Sequence, residues 1–282
     1  MLRYKILHRT YYNFSGVATL QPHQLRLRPR EDYSLRIESF NLQLTPAATL
    51  LWHRDAEGNS VAVATFDQPT RQLAIESESI VQQYNESPLD FMVADYALAY
   101  PFSYTSDDQV LLAPYRIAER VPVENLMAQW VGNFWRAGEP IQSYSLMNQM
   151  NEYIHQTFTY QVREEPGVQS AEQTLQCGTG SCRDFALLFM EAAKYLGLAA
   201  RFVSGYLYDP HSTVAGATHA WAEVYLPGAG WLGFDPTIGS IVGTDHIPVA
   251  VARRAESVPP VAGSFVGAPG STLDVGVWVS AC

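Results

Sequence analysis

Residues 178–206 read GTGSCRDFALLFMEAAKYLGLAARFVSGY. Phe185, Leu188, Phe189, Ala192 and Leu196 recur at i, i+3, i+4, i+7 and i+11, which predicts a helix with one apolar face. Gly197 supplies its stop, since the residue after a helix often turns left-handed. Behind that stop, AARFVSGYLY (199–208) has strand chemistry. A lone cysteine, Cys182, stands where the helix begins. Unpaired N–H groups at a helix N-terminus favour a thiolate, and the backbone N–H of Cys182 could also serve an oxyanion. The glycines of GTGSC would let a substrate backbone come close, with Ser181 lining its path. The rival reading is a small buried residue that begins a core helix. From the helix alone the two stand about even.

Partners for the thiol lie downstream. His219 opens the strand HAWAEVYL (219–226), and Asp235 closes WLGFD (231–235), just before Pro236 ends regular pairing. A nucleophilic cysteine needs an imidazole base, and the imidazole needs a carboxylate to fix its tautomer. PGAG (227–230) joins the two runs as a hairpin. A four-residue loop would oppose Asp235 to Ala222, off the face of His219. A three-residue loop over 228–230 would oppose it to Glu223 and restore the shared face. The triad reading therefore requires an odd-length loop or a bulge.

Working outward, residues 1–85 read as an all-β, sandwich-like unit of short alternating runs, separated by turn signals such as SGVA (15–18) and EGN (57–59). In FNLQLT, Phe40, Leu42 and Leu44 share one face. Arg26, Arg28 and Arg30 alternate with leucines as a solvated strand face would. Residues 86–140 form a helical connection, with Leu126, Trp130 and Phe134 as one core stripe. Residues 141–248 form the catalytic core, entered by a helix carrying Met147, Met150, Ile154 and Phe158 on one side. Residues 163–180 read as a long loop, and residues 249–282 as a segment whose last strand, LDVGVWVS, returns to a sheet.

The composition, 47% hydrophobic and 16% charged, is that of a globular chain, and a net charge of −10 gives no basic surface for nucleic acid. No run of 18 apolar residues suggests a membrane span, and MLRYKILHRTYYNF lacks the apolar block of a signal peptide. The expectation is a soluble, cytoplasmic protein. Three cysteines, Cys177, Cys182 and Cys282, make no disulfide framework. With no HExxH motif and no second cysteine pair to match Cys177 and Cys182, neither a metal nor a cofactor is expected. His8, His23, His53, His155, His211 and His246 are read as surface or packed residues. Trp221 and Trp231 pack beside the hairpin, though either could line a substrate groove. Arg183 and Asp184 are read as first-turn polar residues held in a salt bridge.

GTGSCRDFA, RFVSGYL, HAWAEVYLPGAGWLGFDPT and HIPVAVARR resemble the bacterial transglutaminase-like superfamily, whose members are often described as cysteine proteases. YKILHRTYYNFSG, HQLRLRPR and GNSVAVATF resemble the β domain that precedes its core. The resemblance implies an α+β protein with a papain-like core, and carries the nucleophile, base and orienting roles onto Cys182, His219 and Asp235. It implies thiol acyl transfer: hydrolysis of peptide or isopeptide bonds first, with amine transfer to glutamine or a non-catalytic binding module as alternatives. Gln176 has the spacing of the oxyanion glutamine of papain-like proteases, six residues before the nucleophile, and Tyr160 is its rival. Arg183 and Asp184 stand where animal transglutaminases usually have a tryptophan after the nucleophile, and no acidic cluster suggests their calcium sites. The post-core segment ARRAESVPPVAGSF lacks the family's usual glycine-arginine-aspartate start.

Overall fold

Alternation over Leu2–Leu20 produces one long strand, β1, with Tyr4, Ile6, Phe14, Ala18 and Leu20 buried on one face. The computed structural model describes residues 2–84, 86–118, 124–163, 165, 167–211 and 215–282. SGVA does not turn: β1 runs through it with a register shift between Asn13 and Ala18, and Ser15 N–H donates to Gly270 O at 3.0 Å. Then follow β2 (His23–Leu25), β3 (Leu35–Thr45), β4 (Thr49–Arg54), β5 (Ser60–Thr65) and β6 (Thr70–Gln83). The arginines of this region are not a wholly solvated face: Arg30 donates to Asn59 Oδ1 and Glu57 O.

The connection holds β7 (Ala99–Tyr100), α1 (Ser106–Leu112) and α2 (Glu124–Val131). β8 (Ile141–Gln142), α3 (Ser143–Thr157), β9 (Thr159–Tyr160), α4 (Ala171–Cys177), β10 (Thr179–Gly180) and α5 (Cys182–Tyr195) lead into the core. The segment expected to be a loop thus contains a helix. Ser170 caps α4 by accepting from Gln173 N–H, while the Gln173 side chain returns to Ser170 N–H.

The core sheet has the order β14 (Ser240–Ile241), β13 (Gly230–Asp235), β12 (His219–Leu226), β11 (Ala200–Leu207), β15 (His246–Ala252), and is antiparallel. The boundary expected at 248 falls inside β15. β16 (Val261–Ala262), β17 (Phe265–Val266) and β18 (Ser271–Ala281) return to the N-terminal region. There β17 and β18 pair with β1 in a sheet completed by β6 and β3, and β16 joins β2, β5 and β4. The two sheets enclose Phe14, Leu20, Leu25, Ala62, Leu73 and Ile75. The fold is α+β, with the sandwich attached to the core through a layer in which Tyr4, Ile6, Leu35 and Val81 meet Tyr206, Ile247 and Val249.

α5 is buried on every side from Asp184 to Lys194, because α2, α3 and α4 pack against it as well as the sheet. Its polar side chains are paired there: Lys194 Nζ reaches Glu191 Oε1 at 2.9 Å and Arg253 O at 3.0 Å. No helix among the described residues is long and apolar enough to cross a membrane.

Candidate active site

The hairpin decides whether His219 and Asp235 can meet. Leu226 pairs with Gly230 and Ala222 with Phe234, so the loop is the three residues 227–229. This is the odd length required, shifted by one residue, and it brings Asp235 opposite Trp221 on the face of His219. Gly228 makes the turn possible: its φ is +86°, and a Cβ there would lie 2.6 Å from Ala94 N, where the connection crosses the hairpin.

His219 Nε2 lies 2.6 Å from Asp235 Oδ2. Cys182 stands close enough to the same imidazole to help hold its charge, and both residues line one cavity. Asp235 is fully buried and His219 is 11% exposed at its side chain, while Cys182 is half-buried. Burial disfavours the imidazolium, but Asp235 and then Cys182 outweigh it and hold the His219 pKa well above its ordinary 6.5. Burial alone would raise Asp235, yet His219 and His246 hold its carboxyl well below the usual carboxylate range. Oδ1 accepts from Thr237 N–H at 2.9 Å.

Cys182 is the first residue of α5, so its N–H has no acceptor within the helix and is available to an oxyanion. Asp184 anchors this turn. Its Oδ2 accepts from Ser181 N–H at 2.8 Å and Ser181 Oγ–H at 2.7 Å, and its Oδ1 from Gln169 N–H and Arg163 Nη1–H, both at 2.7 Å. Arg183 donates to Arg163 O and Glu165 O. Both side chains thus fasten the segment before α4 beside the thiol. Asp184→Ala would take the acceptor from four donors, Arg163 Nη1, Gln169 N, Ser181 N and Ser181 Oγ, with an expected loss of about 3–5 kcal/mol of stability by denaturant unfolding.

A cavity of about 420 Å³ opens over Cys182 and His219. Val162, Val168, Phe202, Val258 and Pro259 give it apolar walls, and Ser181 and Tyr160 also line it. Pairing of β9 with β10 sets Tyr160 beside Gly180, two residues from Cys182. Burial raises the Tyr160 pKa, with Cys182 adding to the effect.

Three expectations need correction. Gln176 is exposed on α4, where its Nε2 donates to Glu172 Oε1 at 3.1 Å, away from the cavity. The helix that intervenes at 171–177 makes its spacing irrelevant. Trp221 is fully buried and does not line the cavity over Cys182; its ring packs edge-on against His246 at 5.1 Å. The glycines of GTGSC serve the chain itself. Gly178, with φ +66°, ends α4, and a Cβ on Gly180 would lie 2.9 Å from Asp184 Cβ and 3.0 Å from the Phe185 ring.

Among the described residues, His219, Asp235 and His246 are a group that could hold a metal ion, their ligand atoms lying within 4.8 Å of one another. The 2.6 and 3.0 Å separations from Asp235 Oδ2 are those of charge-assisted hydrogen bonds, so a cation would have to displace both imidazole protons. Sequence reasoning missed His246, because nothing in HIPVAVA marks its contact with Asp235.

Comparison with known proteins bears on the family and the fold. Residues 136–236 match the transglutaminase-like superfamily, and residues 4–82 match the bacterial transglutaminase-like N-terminal region. The uncharacterized protein Rv2569c of Mycobacterium tuberculosis is 30% identical over 98% of this chain and 91% of its own. The chain belongs to the transglutaminase-like superfamily. The uncharacterized protein ML0607 of Mycobacterium leprae is 26% identical over 99% of both chains. The crystal structure of "a Putative Cysteine Protease from Cytophaga hutchinsonii" shares the fold, with a TM-score of 0.74 at 18% identity over 99% of this chain and 90% of that one.

Proposed function

We propose that this superfamily member is a thiol acyl-transfer enzyme that hydrolyses peptide or isopeptide bonds through a thioester on Cys182. The observation that carries the reading is the 2.6 Å pair of His219 with buried Asp235, set beside Cys182 where thiol and imidazole line one open cavity. The thiolate of Cys182 attacks the amide carbon, and the oxyanion so formed takes the N–H of Cys182. His219, held as imidazolium by Asp235, gives its proton to the departing amine as the C–N bond breaks. The neutral imidazole then takes a proton from water, which attacks the thioester, releases the acid and restores the thiol–imidazole pair. The apolar walls suit an aliphatic side chain on the acyl side, and a protein or peptide is the fitting substrate.

The test is a glutamine-containing protein and a panel of peptides, offered with and without a labelled primary amine. New termini or released amine that depend on Cys182 support hydrolysis. Amine incorporation without hydrolysis would move the reading to transfer. If neither occurs and Cys182 alkylates with iodoacetamide no faster than a simple thiol, the site is not catalytic.

Tyr160 is the proposed second oxyanion donor, in place of Gln176. Tyr160→Phe is expected to lower kcat about 10- to 100-fold with KM little changed, read by steady-state kinetics on the best substrate.

A further inference from the structure

We propose that His246 is a positioning residue for the catalytic carboxylate, a fixed donor that holds Asp235 from behind while His219 works in front of it. The proposal rests on the acyl-transfer reading above. Asp235 Oδ2 receives two imidazoles, His219 Nε2 at 2.6 Å and His246 Nε2 at 3.0 Å. The second is fixed in direction. Gly243 N–H points at His246 Nδ1 at 3.3 Å, so that nitrogen presents its lone pair and the ring proton sits on Nε2. His246 N–H returns to Gly243 O at 3.2 Å, which closes the 243–246 turn, and Trp221 braces the ring from the side.

The two imidazoles therefore have different duties. His219 faces the thiol and must gain and lose its proton. His246 is 3% exposed, touches no substrate space and keeps its proton toward Asp235. A fully buried carboxylate that loses donors tends to become the neutral acid, and a neutral acid no longer supports an imidazolium. The other donor, Thr237 N–H, reaches only Oδ1. On the cavity side, the titratable groups near Asp235 are His219 and Cys182, with Tyr160 beyond them. Behind it stand His246 and then Asp245, which accepts from Tyr4 Oη–H at 3.0 Å. A second cavity of about 450 Å³, lined by Tyr208, Asp209, Ile238 and Asp245, reaches His246 from the side away from Cys182.

Two substitutions separate the two hydrogen bonds of this ring. His246→Gln puts an amide N–H near the place of Nε2 and keeps a donor to Asp235. His246→Asn can accept from Gly243 N–H but is too short to reach Asp235. With p-nitrophenyl acetate as probe, the Gln variant is expected to keep kcat within about threefold of the parent protein. The Asn variant is expected to lose about 10- to 100-fold in kcat at little-changed KM, with the acid limb of its pH profile moved upward. Equal kcat and an unmoved acid limb in the two variants overturn the proposal.

A third measurement does not depend on how either side chain settles. In His246→Ala, added imidazole can enter through the second cavity and is expected to restore rate, whereas 1-methylimidazole fills the same space without an N–H and is not. Rescue by both equally, or by neither, counts against a donor role. Loss of rate in Cys182→Ala is the control: if the probe is hydrolysed as fast without the thiol, the acyl-transfer reading itself has failed.

Discussion

Cys182→Ala is expected to reduce amide turnover by about four to six orders of magnitude, to the level of the remaining binding site. The thiol supplies the only bond formed to the acyl group, and neither Cys177 nor Cys282, both exposed, lies in the cavity. Because Cys182 is half-buried at the start of α5 and its cap bonds run through Ser181 and Asp184, the fold should survive. Peptide-level mass spectrometry after brief iodoacetamide treatment gives the check. The fast-reacting thiol should map to Cys182 in the parent protein, leaving only the slow reaction of Cys177 and Cys282 in the variant. An unchanged fast site, or unchanged turnover, would sink the assignment.

Asp235→Asn should be nearly as damaging, by about three to four orders of magnitude in kcat, because an amide can fix the wrong tautomer and carries no charge. The pH dependence gives the sharper test. His219 has its pKa raised to about 10, so its imidazolium form is favoured in the folded protein. The stability from that shift is fully present below the unfolded value of 6.5 and is lost as pH rises through the folded value. Amide turnover needs the imidazolium to protonate the leaving amine, so its alkaline limb should lie well above neutrality in the parent protein. In Asp235→Asn burial is no longer opposed by the carboxylate, and the limb should fall toward or below 6.5. Profiles of kcat/KM for the same amide substrate decide it, and limbs that coincide would remove Asp235 from the role.

Much of the site was legible because it lies on regular elements with strong patterns. The i, i+3, i+4 spacing from Phe185 to Leu196 located α5 and hence the position of Cys182 at its start. Turn chemistry between two alternating runs located the hairpin, and parity then stated the condition under which His219 and Asp235 could meet. Other features failed for physical reasons. α4 was missed although Ser170 and Gln173 form a capping box, since its seven residues carry little apolar periodicity. Gln176 was taken by spacing alone, and a helix turned it to solvent. Trp221 shares the face of His219, but its ring is packed among Val203, Val251 and His246.

By itself, the sequence determined the helix that carries Cys182, the strands that carry His219 and Asp235, and the family to which they belong. These are consequences of short-range periodicity and turn preference, which a chain carries locally. Only the tertiary structure decided what surrounds Asp235. His246 reaches it because the chain leaves β13, makes the short strand β14 and returns at the far edge of the sheet as β15. That crossing depends on strand order, and strand order is settled by packing between layers distant in sequence. The same packing buried the polar face of α5 and gave the glycines before Cys182 to the chain's own turns.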